Sequence, residues 1–340
     1  MFKPTRRITF VMAAAMATAV LPFGALAQTA AEPLLNVSYD VSRELYKDIN
    51  PAFTDFWKAK TGRTLAIKQS HGGSSKQTLS VVGGLDADVV TMNQATDLDV
   101  LADKGLIAAD WRRRFPNGAA PYTSVTVFLV RKGNPKAVKD WADLAKPGTA
   151  VIIPNPKTSG NGRYTYLAAW GSVMANGGSE AQARDFVGKL LANVPVLDGG
   201  GRGATTTFTQ RAIGDVLVTF ENEAELIEAE VGKGKFEVIY PSITIEAEAP
   251  VAVVEKVAAK KGNGEVAKAY LDFLYSPAGQ EIIAKHNFRP RDKDVAKRHA
   301  ARFPAVKTFT VDSLLGGWPL TAKTHFADGG VYDQLVVGKR

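Results

Sequence analysis

Short apolar segments alternate with segments of helical periodicity along most of the chain, and this alternation restricts the fold more than any other feature of the sequence. Strands are predicted at 34–39, 65–70, 87–92, 125–133, 150–155, 194–199, 215–220 and 236–241. The segments between most of them carry apolar residues at helical spacing. Such alternation is typical of parallel sheets with helices on both faces. The sequence therefore predicts an α/β fold.

The C-terminal part of the chain differs from the rest. After an apolar segment at 249–257 the pattern becomes almost wholly helical, as in "GEVAKAYLDFLYSPAGQEIIAKH". These helices have apolar stripes, but the segment contains no further predicted strand that they could cover. A chain of 340 residues is also too long for one ordinary core. We therefore expect two lobes, with the C-terminal helices returning to the first.

The N-terminal segment predicts export. Three basic residues precede the apolar run "FVMAAAMATAVLPFGA", and Ala25-Leu26-Ala27 forms a small-x-small cleavage signal. This pattern is a secretory signal peptide, so we expect residues 1–27 to be removed after Ala27 and the mature protein to be periplasmic. A retained membrane anchor would need about 20 apolar residues, and Pro22 argues against it. The segment "TRRITF" loosely resembles a twin-arginine signal, but the ordinary secretory route is favoured.

Charge and cysteine content exclude several classes of function. Residues 1–27 carry three positive charges and no negative one, so their removal lowers the formal net charge from +8 to +5. An excess of this size suits small anions and falls short of a nucleic-acid-binding surface. The chain has no cysteine, and hence no disulfide, thiol nucleophile or cysteine metal ligand. No cofactor and no nucleic-acid partner are predicted.

Turns rich in glycine and serine follow three predicted strands, directly before helical patterns begin. They are "QSHGGSSKQT" (69–78), "IPNPKTSGNGR" (153–163) and "LDGGGRGATTTF" (197–208). In open parallel sheets, ligands bind beyond the carboxyl ends of the strands. Helix N-termini offer unpaired N–H donors and a partial positive charge, and glycine lets a ligand approach the backbone closely. Several such turns facing one cleft would bind a small anion that carries more than one charge.

Each turn also has a purely structural interpretation. Glycine-rich turns close strand-helix units in many proteins that bind no ligand there. The segment "SHGGSSKQ" contains a possible capping box, Ser74 with Gln77, which needs no ligand. Neither it nor "KTSGNGR" has the GxxxxGK[ST] spacing of a Walker loop. The recurrence of such turns at strand ends is what favours ligand binding.

A series of short motifs, in the same order, resembles the periplasmic sulfate- and thiosulfate-binding proteins that deliver substrate to an ABC importer. It includes "LLNVSYD", "QSHGGSSKQ", "PNPKTSGN", "GGRGATTTF" and "LYSP", and extends from about Leu34 to Gln334. The resemblance implies the two-lobed periplasmic-binding-protein fold of the second topological type, with a ligand cleft between the lobes. Lobe I would comprise 34–123 plus 250–340, and lobe II 124–249. The implied partners are thiosulfate or sulfate and the permease and ATPase subunits of an importer, for a protein expected to be a monomer.

The resemblance also implies a set of ligand-binding residues. In the sulfate-binding branch a dehydrated dianion is held by neutral donors, mostly backbone N–H groups. Carried over to this chain, the residues are Asp40, Ser74, Ser159, Gly160, Asn161 and Gly201. Ser159 would act through its hydroxyl and the others through their backbone N–H groups. The Asp40 carboxylate would repel a dianion, so we expect it to cap a helix starting near Val41; a cap without ligand contact is the alternative.

Two positions depart from the sulfate-binding pattern. Asn161 replaces a second glycine, and Phe220 replaces a tryptophan whose indole N–H donates to the ligand. Both substitutions are similar to the thiosulfate-binding branch. Thiosulfate replaces one oxygen by a larger sulfur that accepts hydrogen bonds poorly, and an aromatic ring suits such an atom. We therefore expect Phe220 to contact the ligand; simple core packing is the alternative.

We expect structural roles for the four histidines, for Trp170 and for two arginine residues near the turns. The four histidines share no ligand spacing, so no metal site is expected, and Trp170 is expected in the core. Arg163 and Arg202 flank the turns and are expected to pair with acidic residues such as Asp198.

Enzymatic activity is not predicted. A thiosulfate sulfurtransferase needs a cysteine, and "SHGGSS" lacks the frame of a serine hydrolase. The nearer alternative is a binding protein for another oxyanion, such as molybdate or phosphate, or for ferric ion. A ferric site would call for clustered tyrosine, histidine and carboxylate side chains, whereas these turns offer serine, glycine and backbone.

Overall fold

A computed structural model describes residue 1 and residues 32–231 and 233–336, and its strands form two sheets flanked by helices. Numbered along the chain, the strands are β1 (Leu34–Tyr39), β2 (Ile67–Gly72), β3 (Val89–Thr91), β4 (Tyr122–Arg131), β5 (Val151–Pro154), β6 (Leu197–Asp198), β7 (Val216–Phe220), β8 (Phe236–Ile239), β9 (Ile243–Glu248), β10 (Val251–Val253), β11 (Arg289–Pro290) and β12 (Lys307–Phe309). The predicted α/β class is confirmed. Residues 2–27 of the predicted signal peptide lie outside the described residues.

The helices lie mainly between the strands and after them. They are α1 (Arg43–Thr61), α2 (Ser74–Val82), α3 (Ala95–Asp103), α4 (Pro116–Ala119), α5 (Trp141–Leu144), α6 (Gly160–Ala175), α7 (Glu180–Ala192), α8 (Gly201–Thr209), α9 (Glu221–Leu226), α10 (Glu255–Lys260), α11 (Gly264–Phe273), α12 (Pro277–Lys285), α13 (Lys293–Arg298), α14 (Val311–Leu314), α15 (Trp318–Thr321) and α16 (Val331–Val336). Short 3₁₀ turns lie at Asp40–Ser42, Trp111–Arg113 and Ala300–Arg302, and π-helical segments at Ile227–Val231 and Ala322–Phe326. Among the described residues, none of these helices combines the length and apolar character needed to cross a bilayer.

The first sheet has the strand order β10-β3-β1-β2. Strand β1 pairs in parallel with both β2 and β3, as the alternating pattern predicts, whereas β10 pairs antiparallel with β3. Nearly every residue of β1 is buried, which is expected for a central strand covered on both faces. The carboxyl ends of β1, β2 and β3 therefore lie along one edge of this sheet.

The second sheet has the order β12-β9-β4-β7-β5-β6, and β8 and β11 also pair with β4. Strand β5 runs parallel to β6 and β7, but β4 is antiparallel to β7, β8 and β9. The prediction of purely parallel sheets is therefore wrong for both sheets. Strand periodicity locates a strand without giving its direction relative to a neighbour that is distant in sequence.

Three strands are absent from the prediction. Strand β9 begins only three residues after the end of β8, and the predicted strand at 236–241 ends before it. Strands β11 and β12 contain two and three residues, which is too short for a periodic signal. The expectation that the C-terminal helices add no strand is thus wrong. Strand β12 falls in the segment predicted for lobe I but pairs with β9 of the second sheet; the lobe boundaries themselves stay a prediction.

Helix α6 lies in the core and begins at the candidate site. Twelve of its 16 residues are buried, so it is covered on nearly all sides rather than lying on the surface. Trp170, on this helix, is buried as expected and packs against Tyr166 and His325. This rigid packing fixes the position of the first turn of α6.

Candidate functional site

The three glycine-rich turns meet in the structure. Gly73 precedes α2, and a Cβ atom added there would lie 2.6 Å from the carbonyl oxygen of Thr158 and 2.9 Å from that of Gly199. The Thr158 hydroxyl also donates to the Gly199 carbonyl at 3.1 Å. Contacts this close require glycine at position 73. The turns that follow β2, β5 and β6 therefore form one cluster.

Three helices begin at this cluster, α2 at Ser74, α6 at Gly160 and α8 at Gly201. The first N–H groups of a helix have no acceptor within the helix. Within the described chain we find no other acceptor for the N–H groups of Ser74, Gly160, Asn161 and Gly201. These four donors and the positive ends of three helix dipoles form an arrangement suited to a small anion.

Ser159 is the N-cap of α6 and is buried. Its hydroxyl oxygen accepts a hydrogen bond from the Gly162 N–H at 3.4 Å. A hydroxyl that accepts in this way keeps its own proton, and we find no acceptor for that proton among the described residues. The Ser159 hydroxyl can therefore donate beside the N–H groups of Gly160 and Asn161.

Asp40 contacts the start of α8. One oxygen of its carboxylate accepts from the backbone N–H of Arg202 at 3.0 Å, and the other from the N–H of Val41 at 3.1 Å. Helix α1 begins only at Arg43, so the predicted capping of a helix at Val41 is wrong: Asp40 starts a 3₁₀ turn and caps α8. Burial raises the pKa of the Asp40 carboxyl, and the Arg202 hydrogen bond opposes this.

The guanidinium of Arg202 joins two acidic side chains. Its Nη2 lies 2.7 Å from Glu44 Oε2 and 3.2 Å from Glu223 Oε2. The expected structural pairing of Arg202 is confirmed, but with Glu44 and Glu223 rather than Asp198. Thr205 donates to the other oxygen of Glu223 at 2.5 Å. Burial raises the pKa of Glu223 to about 7, although Arg202 favours its ionised form.

Arg163 does not form the expected ion pair within the described residues. Its Nε donates to the Pro156 carbonyl at 3.0 Å, its Nη1 donates to Thr96 at 3.2 Å, and its guanidinium lies over the ring of Phe326. Burial lowers the pKa of this guanidinium, and the charge of Asp97 opposes the shift. Backbone and hydroxyl acceptors thus take the place of a carboxylate.

Ser74 is the first residue of α2, and the N-cap is Gly73. The Ser74 hydroxyl donates to Asp97 at 2.5 Å and accepts from the backbone N–H of Asn93 at 3.3 Å. The Gln77 amide instead donates to Ser70 at 2.9 Å, so the predicted capping box is wrong. The Ser74 hydroxyl thus has both an acceptor and a donor as partners, whereas the Ser74 N–H has no acceptor among the described residues.

The side chain of Asn161 holds α6 against the end of β7. Its Nδ2 donates to Thr219 at 3.0 Å, while its Oδ1 accepts from Thr165 at 3.5 Å. A Cβ atom added at Gly201 would lie 3.0 Å from Asn161 Nδ2, so the two residues are neighbours. The backbone N–H groups of both residues remain available to a ligand.

Phe220 is buried, with its ring edge-on to Tyr164 at a centroid distance of 5.7 Å. It also lines a cavity of about 10 Å³ together with Tyr39 and Asn93. The ring therefore packs in the core and faces an internal space next to the site. Its predicted contact with a ligand stays a prediction.

Two neighbouring residues, Asn93 and Asp97, were not predicted for the site. They follow β3 in "TMNQATD" and reach Ser74 through the contacts described above. The available signal was their position after a strand whose neighbour, β1, ends at Tyr39, directly before Asp40. Burial raises the pKa of the Asp97 carboxyl. Among the described residues, no group of three or more His, Asp or Glu side chains could hold a metal ion.

Comparisons with known proteins identify the family. Residues 34–289 match the family model described as bacterial extracellular solute-binding protein. The thiosulfate-binding protein of Pseudomonas aeruginosa is 60% identical over 96% of this chain and 98% of its own length, and the sulfate-binding protein of Escherichia coli is 56% identical over 89% and 92%.

A solved structure agrees with the sequence relatives. The sulfate-binding protein SubI of Mycobacterium tuberculosis H37Rv has a TM-score of 0.79 and 34% identity, over 86% of this chain and 99% of its own. The predicted periplasmic-binding-protein fold is thereby confirmed. This chain belongs to the bacterial extracellular solute-binding protein family, among the sulfate- and thiosulfate-binding proteins.

Proposed function

We propose that this protein is a periplasmic solute-binding protein that captures thiosulfate or sulfate and delivers it to an ABC importer. The observation that carries the proposal is the set of unpaired N–H groups at the starts of α2, α6 and α8, together with the Ser159 hydroxyl. The proposed ligand-binding residues are Asp40, Ser74, Ser159, Gly160, Asn161, Gly201 and Phe220. The names of the two relatives specify these same two anions.

Neutral donors suffice to hold the anion at this site. Arg202 is paired with Glu44 and Glu223, and hence is not available as a counter-ion. A hydrogen bond to a charged group contributes about 1.5–3 kcal/mol, and several converge here. The helix dipoles add favourable potential without a titrating group. This arrangement suits a small dianion that remains fully ionised near neutral pH.

The wall at Phe220 favours thiosulfate over sulfate. A phenyl ring offers no N–H, so an oxygen placed against it would lose a hydrogen bond. The terminal sulfur of thiosulfate is larger and a weaker acceptor, and loses less there.

Binding brings the two lobes together. Asp40 and Gly73 belong to the predicted lobe I, whereas Thr158, Gly199 and Arg202 belong to lobe II, and these residues are in contact. The donors therefore converge only when the cleft is closed. The closed monomer would be the form that the permease and ATPase subunits of the importer receive. Export to the periplasm would use the signal peptide at 1–27, cleaved after Ala27.

Phosphate is the second oxyanion to consider. Hydrogen phosphate carries a proton that needs an acceptor, and an unmet polar group costs roughly 1–3 kcal/mol. The backbone N–H groups at the starts of α2, α6 and α8 only donate, so they offer this proton no acceptor. We therefore expect phosphate to bind much more weakly than either sulfur oxyanion.

Calorimetric titration of the mature protein with thiosulfate, sulfate, molybdate and phosphate tests the proposal. We expect one thiosulfate or sulfate per molecule, weaker binding of molybdate and phosphate, and recovery of the anion unchanged. Phosphate or molybdate binding as tight as thiosulfate binding would overturn the proposed ligand. Thiocyanate production from thiosulfate and cyanide, in proportion to the protein, would overturn the assignment as a binding protein.

A further inference from the structure

We propose that Asn93 is an additional ligand-binding residue, whose carboxamide donates a hydrogen bond to the bound anion. This inference rests on the proposed function of the site. It assigns to Asn93 the side-chain donor that Phe220, having no N–H, does not supply.

Asn93 lies between two of the helix N-termini that form the site. Its backbone N–H donates to the hydroxyl of Ser74, the first residue of α2, at 3.3 Å. Its carboxamide lies against Gly160, the first residue of α6: a Cβ atom added at Gly160 would lie 1.8 Å from Asn93 Oδ1 and 3.0 Å from Nδ2. Asn93 therefore contacts the first residue of both helices, and its side chain lies against the start of α6.

The Asn93 carboxamide has no hydrogen-bond partner. Asn93 is 3% exposed, and its Oδ1 is buried without a donor. We also find no acceptor for its Nδ2 among the described residues. Buried amides are almost always hydrogen-bonded, and an unpaired one is unfavourable.

Other buried asparagines of the chain are paired, in contrast to Asn93. Asn222 donates to the Val41 carbonyl, and Asn263 donates to Asp88 at 2.9 Å. Asn161, in the site itself, bonds Thr219. The unpaired amide is thus a local feature of position 93, and a ligand in the site would give it a partner.

The environment of Asn93 fits a donor to an anion. It lines the same cavity of about 10 Å³ as Phe220, so it can supply a hydrogen bond on the side where the ring cannot. The terminal torsion of asparagine is broad and roughly two-fold, so the NH₂ end can turn to meet an acceptor. Like the other proposed donors, the amide is neutral and does not titrate.

The test compares the wild-type mature protein with Asn93→Ala and Asn93→Asp, by calorimetry with thiosulfate and with sulfate. Alanine removes the donor, and aspartate keeps the shape but replaces NH₂ by an oxygen that carries negative charge. We expect Asn93→Ala to weaken binding of the better ligand at least tenfold, and Asn93→Asp to weaken it more. The control is Asn263→Ala, since Asn263 is equally buried but paired elsewhere; it should leave the dissociation constant unchanged.

Thermal unfolding without ligand separates a binding role from a structural one. Because the Asn93 amide has no partner in the folded chain, Asn93→Ala should leave Tm unchanged or raise it, whereas Asn263→Ala should lower it. Dissociation constants within about twofold of wild type for Asn93→Asp would overturn the inference and leave the proposed function intact. A wild-type protein that binds neither anion would overturn the proposed function itself.

Discussion

The carboxylate of Asp40 accepts a hydrogen bond from the backbone N–H of Arg202 at 3.0 Å. Asp40 follows the central strand of the first sheet, and Arg202 is the second residue of α8, which packs against the second sheet. The guanidinium of Arg202 reaches Glu44 in the first turn of α1. The same two segments are therefore joined by a backbone-to-side-chain hydrogen bond and an ion pair, directly beside the Gly201 N–H.

Removing the arginine should destabilise the folded protein. In Arg202→Ala, the buried Glu223 loses its cation, and because the arginine side chain is one-third exposed we expect a loss of about 1–3 kcal/mol. Glu223 can protonate near pH 7, so the loss should be larger at pH 8 than at pH 6. Urea unfolding at both pH values measures this. The control is Lys189→Ala, which breaks an exposed pair with Asp185 and should cost less than about 1 kcal/mol; equal losses in the two variants would contradict the prediction.

A methyl group at Gly160 should abolish tight binding. The Cβ atom of Gly160→Ala would lie 1.8 Å from Asn93 Oδ1, so either the Asn93 carboxamide or the first turn of α6 must shift, and each of these changes displaces a proposed donor. We expect at least a hundredfold weaker thiosulfate binding, measured by calorimetry, because several hydrogen bonds lose their geometry. Gly264 also begins a helix, and a Cβ atom there meets nothing within 4 Å. Gly264→Ala should therefore bind as wild type does.

Glu223 should make the ligand-free protein less stable as pH rises from about 4.5 to about 7, whereas His71 and His325, whose pKa values burial lowers to about 4, act in the opposite direction. Burial raises the pKa of Glu223 to about 7, so in this interval the folded state holds a proton that the unfolded state has released. The shift corresponds to at most about 3 kcal/mol. Glu223→Gln should reduce this dependence, whereas Glu180→Gln, at an exposed site, should not. Urea unfolding at pH 5 and 7.5 measures the difference, and an unchanged dependence in Glu223→Gln would assign it to other buried acids.

Phe220→Trp should shift selectivity toward sulfate. The indole N–H adds a donor that an oxygen can use, which corresponds to roughly ten- to a hundredfold in affinity. Sulfate should gain most, because thiosulfate either places its sulfur at the new donor or is crowded by the larger ring. Overpacking the buried site costs about 1–3 kcal/mol of stability. Competitive calorimetry with both anions measures the ratio of dissociation constants; an unchanged ratio with lower stability would make Phe220 a core residue only.

The sequence predicted the strand-end turns well because they depend on local chemistry. Glycine after an apolar strand permits a tight turn and close backbone contact, which a sequence shows within a few residues, and the turns at Gly73, Thr158 and Gly199 do come together. The order of the strands in space depends on contacts between distant segments. The antiparallel pairing of β4 with β9 therefore could not be read from periodicity.

Side-chain partners at the site were harder to predict than the backbone. Ser74 and Gln77 have the spacing of a capping box. The Ser74 hydroxyl instead donates to Asp97, and the Gln77 amide donates to Ser70. Asp40 was expected to cap the helix that follows it in sequence, but its carboxylate also accepts a hydrogen bond from the backbone N–H of Arg202 in α8. The partners Asp97 and Arg202 are distant in sequence from Ser74 and Asp40, so no local pattern indicates them. Asn93 was missed for the same reason, because its neighbours Ser74 and Gly160 come from separate parts of the chain.

The first sheet is completed only when β10 has been synthesised, because β10 pairs with β3 and is made much later. Val251 pairs with Thr91, and the entire second sheet up to β9 is made between them. A growing or partly translocated chain that ends before Val251 has made three strands of the first sheet but leaves the edge of β3 unpaired. Unpaired strand edges are templates for aggregation. The edge of β3 is covered only once Val251–Val253 have been made and can pair with it.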